Sequence, residues 1–235
     1  MIKRLFIILL LALTSQPLLA QVGEPRRDLA VGISGGYVLN KMDFQPSIPQ
    51  SMHGGAAIGA VARYTCEKYF SLLCGIQGEI NFAQMGWTEK ITTSTDTYSR
   101  TINYFQVPLL AYLGLGKETG GAKGYLVIGP QLGFYLSDSD KRTGDWSAQT
   151  LSLRPNHVVE QYDLPIQKKF EYGITGGLGL ELSTKRGLRF QVEGRYYFGL
   201  SDVFNNSKKD PFGRSASGAI YARGAILFDV IKTKR

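Results

Sequence analysis

Phe170-Glu171-Tyr172-Gly173-Ile174-Thr175-Gly176-Gly177-Leu178-Gly179-Leu180-Glu181-Leu182 decides the reading of this chain. Phe170, Tyr172, Ile174, Leu178, Leu180 and Leu182 fall on one face, against Glu171, Gly173, Thr175, Gly177, Gly179 and Glu181 on the other. A period of two belongs to a β-strand, not a helix. The stretch also exceeds the roughly 9–11 residues that cross a bilayer as a tilted strand.

Working outward, the pattern recurs seven more times. Leu29, Val31, Ile33 and Tyr37 oppose Ala30, Gly32, Ser34 and Gly36, and Ala56–Tyr64 sets Ile58 and Tyr64 against Gly59 and Arg63. Leu72–Gln84 sets Ile76, Ile80 and Phe82 against Gln77, Glu79 and Asn81. In Ile102–Leu113, Phe105, Val107, Leu109 and Leu113 oppose Tyr104, Gln106 and Tyr112. Tyr125–Tyr135 places Leu126, Ile128, Leu132 and Phe134 against Gly129, Gln131 and Gly133. Leu188, Phe190, Val192, Tyr196 and Phe198 oppose Arg189, Gln191, Glu193 and Arg195. Finally, Ile220, Ile226, Phe228 and Val230 oppose Tyr221, Arg223 and Asp229.

Alternation alone does not say which face points inward, because a soluble lipocalin-like barrel buries its apolar side. The polar face carries Gly32, Gly36, Gly59, Gly75, Gly129, Gly133, Gly173, Gly177 and Gly179. Glycine weakens a strand that merely faces water, but it fits a crowded interior crossed by large side chains. The same face carries Arg63, Arg189, Arg195 and Arg223 with Glu79, Glu171, Glu181, Glu193 and Asp229. Such nearly balanced charge suits an internal ion-pair network, since a lone charge in a low-dielectric lumen is costly. Connections alternate in length: long at Leu39–Gly55, Met85–Thr101, Ser137–Lys169 and Gly199–Gly218, shorter at Thr65–Ser71, Gly114–Gly124 and Ser183–Gly187. The expected fold is therefore all-β: an eight-stranded antiparallel transmembrane barrel with a filled polar interior, short periplasmic turns and long outer loops. Pro108 and Pro130 lie inside strands, and each removes a ladder donor, so a bulge or local break is expected there.

The N-terminus reads as a signal peptide over residues 1–20, with the barrel domain occupying 21–235. Lys3 and Arg4 precede the apolar run Leu5–Leu13, and Ala20 offers a small residue before Gln21. Removing Lys3 and Arg4 from 27 basic residues leaves 25 against 19 acidic ones, a net charge of +6. For an exported chain the expected counter-charges are outer-membrane lipid and lipopolysaccharide phosphates, not nucleic acid. Basic residues gather in the outer connections (Lys141, Arg142, Arg154, Lys168, Lys169, Lys208, Lys209, Arg214), with Trp87, Tyr98, Trp146, Tyr162, Phe204 and Phe212 among them or near the rim. These fit an aromatic girdle with phosphate-facing charge, or a surface for lipopolysaccharide, protein or glycan. Cys66 and Cys74 flank a short stretch and are permissive for a disulfide outside the cytosol; bridging depends on register.

Little here suggests catalysis. His53 and His157 both fall in long outer connections, His53 near Ser51 and His157 near Glu160 and Asp163, and solvated loop histidines are the favoured reading. No cluster has metal-ligand spacing, and no cofactor is expected. Gly173–Gly179 lacks the Lys-Ser/Thr ending and following helix of a phosphate loop.

Asn103-Tyr104-Phe105-Gln106-Val107-Pro108-Leu109-Leu110 resembles the fourth-strand signature of the PorT-like outer-membrane β-barrel proteins of Bacteroidota, although Gln106 stands where that family carries an acidic residue. Gly32–Asn40 resembles its opening strand, Gly129-Pro130 its fifth, and Arg195–Asp202 its seventh running into a loop. The resemblance implies a barrel of the outer membrane and makes Pro108 a family feature. Its name-giving member serves protein secretion and gliding. The expected function is a non-enzymatic envelope scaffold or secretion accessory, meeting envelope or secretion proteins through its loops or wall. A rim enzyme acting on lipid A or peptides, or a soluble periplasmic binding barrel, is the alternative.

Overall fold

In the computed structural model, which describes residues 23–91, 94–152 and 159–233, nine strands run in chain order. They are β1 (Glu24–Gln45), β2 (Gln50–Ser51), β3 (His53–Tyr69), β4 (Leu72–Glu89), β5 (Thr97–Gly116), β6 (Gly121–Thr143), β7 (Phe170–Ser183), β8 (Leu188–Asp202) and β9 (Arg214–Ile231). Eight of them form the barrel; β2 is a two-residue pairing on β4. Neighbours pair antiparallel, β1 closes on β9 from Leu29↔Ile231 to Gln45↔Arg214, and β4 pairs with β5, so the ring has no open edge. The signal-peptide reading falls on residues outside those described.

The apolar face points outward. Ile33 is 66% exposed, Leu180 68% and Val192 72%, whereas Glu181 is fully buried. A soluble barrel would show the reverse, so hydrocarbon is the medium this wall is made for. Glycine is required inside: a Cβ on Gly32 would lie 2.0 Å from the Ile226 carbonyl oxygen across the closing seam, and one on Gly179 would meet the Tyr125 ring at 2.3 Å. On the outer face, Gly78 has open space around the same position.

Both proline expectations resolve as breaks without a bulge. The β4–β5 pairing skips from Gly78↔Leu109 to Asn81↔Gln106, and β5–β6 from Pro108↔Gln131 to Ala111↔Ile128, each resuming in the same register. Pro108 still pairs with β6, so its missing donor falls on the β4 side. Pro130 still pairs with Ile174 of β7, so its missing donor falls on the β5 side. A hollow of about 1080 Å³ lies over this doubly interrupted stretch of wall, lined among others by Ala60, Ala62, Ile80, Leu109 and Pro130.

The strands are longer than expected, and the outer connections correspondingly shorter. β1 reaches Gln45, β4 Glu89 and β6 Thr143, leaving connections of 46–52, 90–96, 144–169 and 203–213. Above the apolar belt the alternation changes sign. On β5 the outward residues are Phe105, Val107 and Leu109 in the belt but Thr97, Ser99 and Thr101 above it, where Tyr98 and Ile102 turn inward. β1, β4 and β5 therefore carry a membrane pattern below and a water-soluble pattern above, with Met42, Phe44, Met85 and Trp87 turned inward like Tyr98.

Gly32→Ala should lower the temperature at which the unboiled, faster-migrating form disappears on a gel, equivalent to about 1–3 kcal/mol of overpacking, because the β1–β9 seam must open. Gly78→Ala, on the open outer face, should leave that temperature unchanged or slightly raised. Equal effects from the two would show that the interior is not close-packed at the seam.

Candidate functional site

The turn-end half of the lumen is ionic. Glu181 on β7 receives Arg63 of β3 at 2.5 Å, Lys123 of β6 at 2.9 Å and Arg189 of β8 at 2.8 Å, and the Gln191 amide donates to it at 2.6 Å. Arg189 also forks onto Asp229 of β9 at 2.5 and 3.1 Å, while the Arg63 guanidinium stacks on the Tyr112 ring at 4.3 Å. A second centre forms around Glu79 of β4, which receives Arg195 at 2.5 Å and Arg223 at 2.6 Å with amide donors from Gln77 and Asn81. Arg195 pairs with Glu193 as well, and Arg223 donates to Ser34 Oγ at 2.6 Å. These pairs tie strands that are not neighbours in the ring: Arg63–Glu181 spans β3 to β7, and Arg195–Glu79 spans β8 to β4. They brace the barrel across its diameter.

Eight of the nine residues expected inside as a network take part in these contacts. Glu171 does not join them: among the described residues it makes no ion pair, and the hydroxyls of Tyr104, Tyr197 and Ser217 surround it. Lys123 is the cation of this ionic half that sequence reasoning missed. It sits in Gly121-Ala122-Lys123-Gly124, assigned to a turn, yet its parity with Tyr125 and Val127 already places it on the inner face.

The outer half of the lumen is aromatic instead of ionic. Trp87, Tyr98, Phe204 and Phe212 are fully buried and Tyr162 nearly so, which corrects their reading as an exposed girdle or interaction surface. Phe44 meets Trp87 edge-on at 5.3 Å and Phe212 at 5.2 Å; Tyr98 and Trp146 each meet Tyr162 at 4.8 Å. Rings this large, on strand ends and connections above the membrane, are sequestered from water by turning inward. The long connection 144–169, with a short helix α1 (Ala148–Ser152), sends Gln161 and Tyr162 down into this cap. Glu89 accepts from Tyr162 Oη at 2.7 Å and Gln161 Nε2 at 3.0 Å, and Arg100 donates to the Leu164 carbonyl at 2.7 Å while pairing with Asp138 at 2.6 Å. Residues 159–169 of this connection form a plug held from inside. Its anchors Glu89 and Arg100 went unnoticed in sequence because the alternation inverts there.

The girdle itself is made by other rings. Phe105, Phe134 and Phe170 lie side by side on β5, β6 and β7, with centroids 6.4 and 5.3 Å apart, and Tyr172, Tyr196 and Phe198 continue it. His53, expected as a solvated loop histidine, is instead the buried first residue of β3, its ring nitrogens 2.9 Å from Thr88 Oγ1 and 3.1 Å from Thr101 Oγ1. His157 lies outside the described residues. Cys66 and Cys74 are free thiols in this structure. A bulge between Thr65 and Glu67 leaves Cys66 without a cross-strand partner, and its Sγ donates to the Cys74 carbonyl at 3.3 Å. Among the described residues no group of three acidic, His or Cys side chains could hold a metal ion.

A closed lipid-facing barrel with a lumen filled from turn end to outer end defines a small transmembrane β-barrel of the outer-membrane type. The chain belongs to the outer membrane protein beta-barrel domain family, whose model matches residues 19–205. Solved structures with a similar fold include Neisserial surface protein A (9% identity, 85% of this chain and 96% of that one, TM-score 0.42). Others are OprG from Pseudomonas aeruginosa (11%, 88% and 96%, TM-score 0.43) and Ail of Yersinia pestis (12%, 85% and 98%, TM-score 0.38). A search of curated protein sequences returned no significant match.

Glu79→Gln takes the carboxylate from Arg223 and leaves Arg195 with Glu193 alone, and should cost about 3–5 kcal/mol, read as a fall in the unfolding midpoint in detergent. Glu171→Gln removes no ion pair and should change the midpoint by less than about 1 kcal/mol. The reverse ranking would mean that Glu171, not Glu79, is the electrostatic centre of the lumen.

Proposed function

We propose that this protein is a non-enzymatic scaffold of the outer membrane that works through contacts at its outer rim and wall. The observation that supports this is the filled lumen: two ionic centres below, an aromatic cap above, and a plug pinned by Glu89 and Arg100. An eight-stranded barrel has room inside for side chains only, so a solute path is not what this interior provides. In this reading residues 1–20 direct export and are cleaved, the turns face the periplasm, and the outer connections face the medium. The resemblance of Asn103–Leu110 to PorT-like proteins of Bacteroidota supports a version in which the partners are secretion or envelope proteins. The wall hollow at the proline breaks is the surface offered to them within the membrane.

In planar bilayers the folded protein should show no steady conductance. A strain lacking it should show altered envelope integrity or surface-protein display, restored by the intact gene but not by a form with residues 144–169 replaced by a short turn. Open-channel conductance, or a deletion strain with unchanged envelope and surface proteins, would remove this reading.

Cys66 and Cys74 are proposed to close as a disulfide in the oxidising periplasm. Protein isolated from the envelope without reductant should then resist alkylation and weigh about 2 Da less than the reduced form. Full alkylation without reduction would leave both as thiols.

A further inference from the structure

The seam between β7 and β8 opens at its outer end. Their ladder runs from Ser183↔Arg189 to Gly173↔Gly199 and goes no further, although both strands continue. Beyond it the Ser201 side chain substitutes for the ladder, its Oγ accepting from Tyr172 N at 3.0 Å and donating to the Tyr172 carbonyl at 3.4 Å. Above that, the amides of Gln167 and Lys168 donate to the Val203 carbonyl at 3.1 and 3.0 Å, joining the two outer connections. Between these two clamps lies a cavity of about 440 Å³, lined by Lys168, Lys169, Phe170, Tyr172, Leu200 and Asn206, with Ser201 and Asp202 behind.

The charge in this cavity is unbalanced toward the positive. Lys168 Nζ donates to the neutral Asn206 Oδ1 at 3.3 Å, and the Lys169 ammonium lies 5.8 Å from the Tyr135 ring centroid. Among the described residues neither lysine makes an ion pair. Asp202 is committed to neutral donors, the amide of Ser215 at 2.6 Å and Asn206 Nδ2 at 2.9 Å. Asp210, in the 203–213 connection, is held below the usual carboxylate range chiefly by hydrogen bonds from the Ser207 hydroxyl and amide, with a smaller contribution from the charge of Lys168, which it does not reach as an ion pair. Lys208 and Lys209 add exposed positive charge on that connection. Meanwhile the cavity's membrane-side lip is apolar: Phe170, Tyr172 and Leu200 are each about half exposed and belong to the outer girdle.

We propose that this cavity binds the phosphate of an outer-leaflet lipid, with Lys168 and Lys169 on the phosphate and Phe170, Tyr172 and Leu200 along the attached chains. Two ammonium groups above an apolar lip match an anion joined to hydrocarbon; neither a soluble anion nor an uncharged lipid uses both surfaces. The site deepens the rim reading given above but does not depend on the barrel being a scaffold.

The test uses the full chain folded in phosphatidylcholine nanodiscs containing either bis-phosphorylated lipid A or the same lipid after phosphatase treatment, with retained lipid counted by native mass spectrometry. One phosphorylated molecule should be retained, and the dephosphorylated lipid should not. K168Q/K169Q should weaken retention about tenfold or more, given about 1 kcal/mol per lysine near an anionic lipid surface. K117Q/K185Q, at the turn end, should match wild type. The gel shift on boiling checks that each variant is folded. Equal retention by wild type and K168Q/K169Q, or equal retention of both lipids, overturns the proposal, and displacement by millimolar inorganic phosphate alone would reassign the site to a soluble anion. A conducting barrel would refute the scaffold reading while leaving this result standing.

Discussion

Inside a bilayer a backbone amide or carbonyl has no water to turn to, and each one left unpaired costs several kcal/mol. A sheet can meet that condition only by closing on itself, and the pairing of β1 with β9 along most of their length is what closes this one. Everything else follows from the ring. Eight strands fix a narrow bore, the outward face must be apolar, and the inward face must fill the bore with side chains that satisfy one another. The two interior prolines are tolerated because each keeps its pairing on one side, Pro108 with Gln131 and Pro130 with Ile174, and the interrupted ladders resume in the same register.

Filling a narrow bore with charge works only when every charge has its partner. Glu181 and Glu79 each gather cations from distant strands, so the attraction that offsets their desolvation also pins the cross-section of the barrel. A buried pair of this kind is weak evidence for net stability, because apolar residues of the same volume could serve as well. What it adds is register: slipping one strand by a residue would turn its whole inner set of charges into lipid. Glu171 is the contrasting case, a carboxyl among hydroxyls at the level where the ionic lumen gives way to the aromatic one.

The membrane-embedded part of this architecture was legible in the sequence because one solvent acts on it throughout. Apolar residues at every second position, glycine and paired charges between them, and alternating connection lengths all report the same outward hydrocarbon. Above the belt the solvent changes and the sign of the alternation changes with it. Tyr98 and Ile102 turn inward on β5 where Phe105 and Leu109 faced out. A single alternating pattern breaks at that inversion, which is why the sequence places Trp87, Tyr98 and His53 in expected loops and the structure places them on β4, β5 and β3. Lys123 escaped for a related reason, since the glycines on either side of it suggested a turn where the strand had already begun. Phe204, Phe212 and Tyr162 could not be placed from sequence at all, because their burial depends on connections folding back into the bore.

The inversion also bears on where the work of the molecule is done. Below it the interior is committed to bracing and the exterior to lipid, so a change on either side threatens the barrel itself. Above it the strands stand in water on a base that is already stable, closed by an aromatic cap and a plug that need only exclude solvent. Surface residues there are free of both constraints. The transition between the two regimes is the level at the outer rim where a ligand can touch hydrocarbon and water together. There the β7–β8 ladder stops, and the opened seam presents lysines above and aromatic rings below. A barrel whose lumen is filled by its own side chains has few places to be specific, and the boundary where its wall changes solvent is the most chemically varied of them.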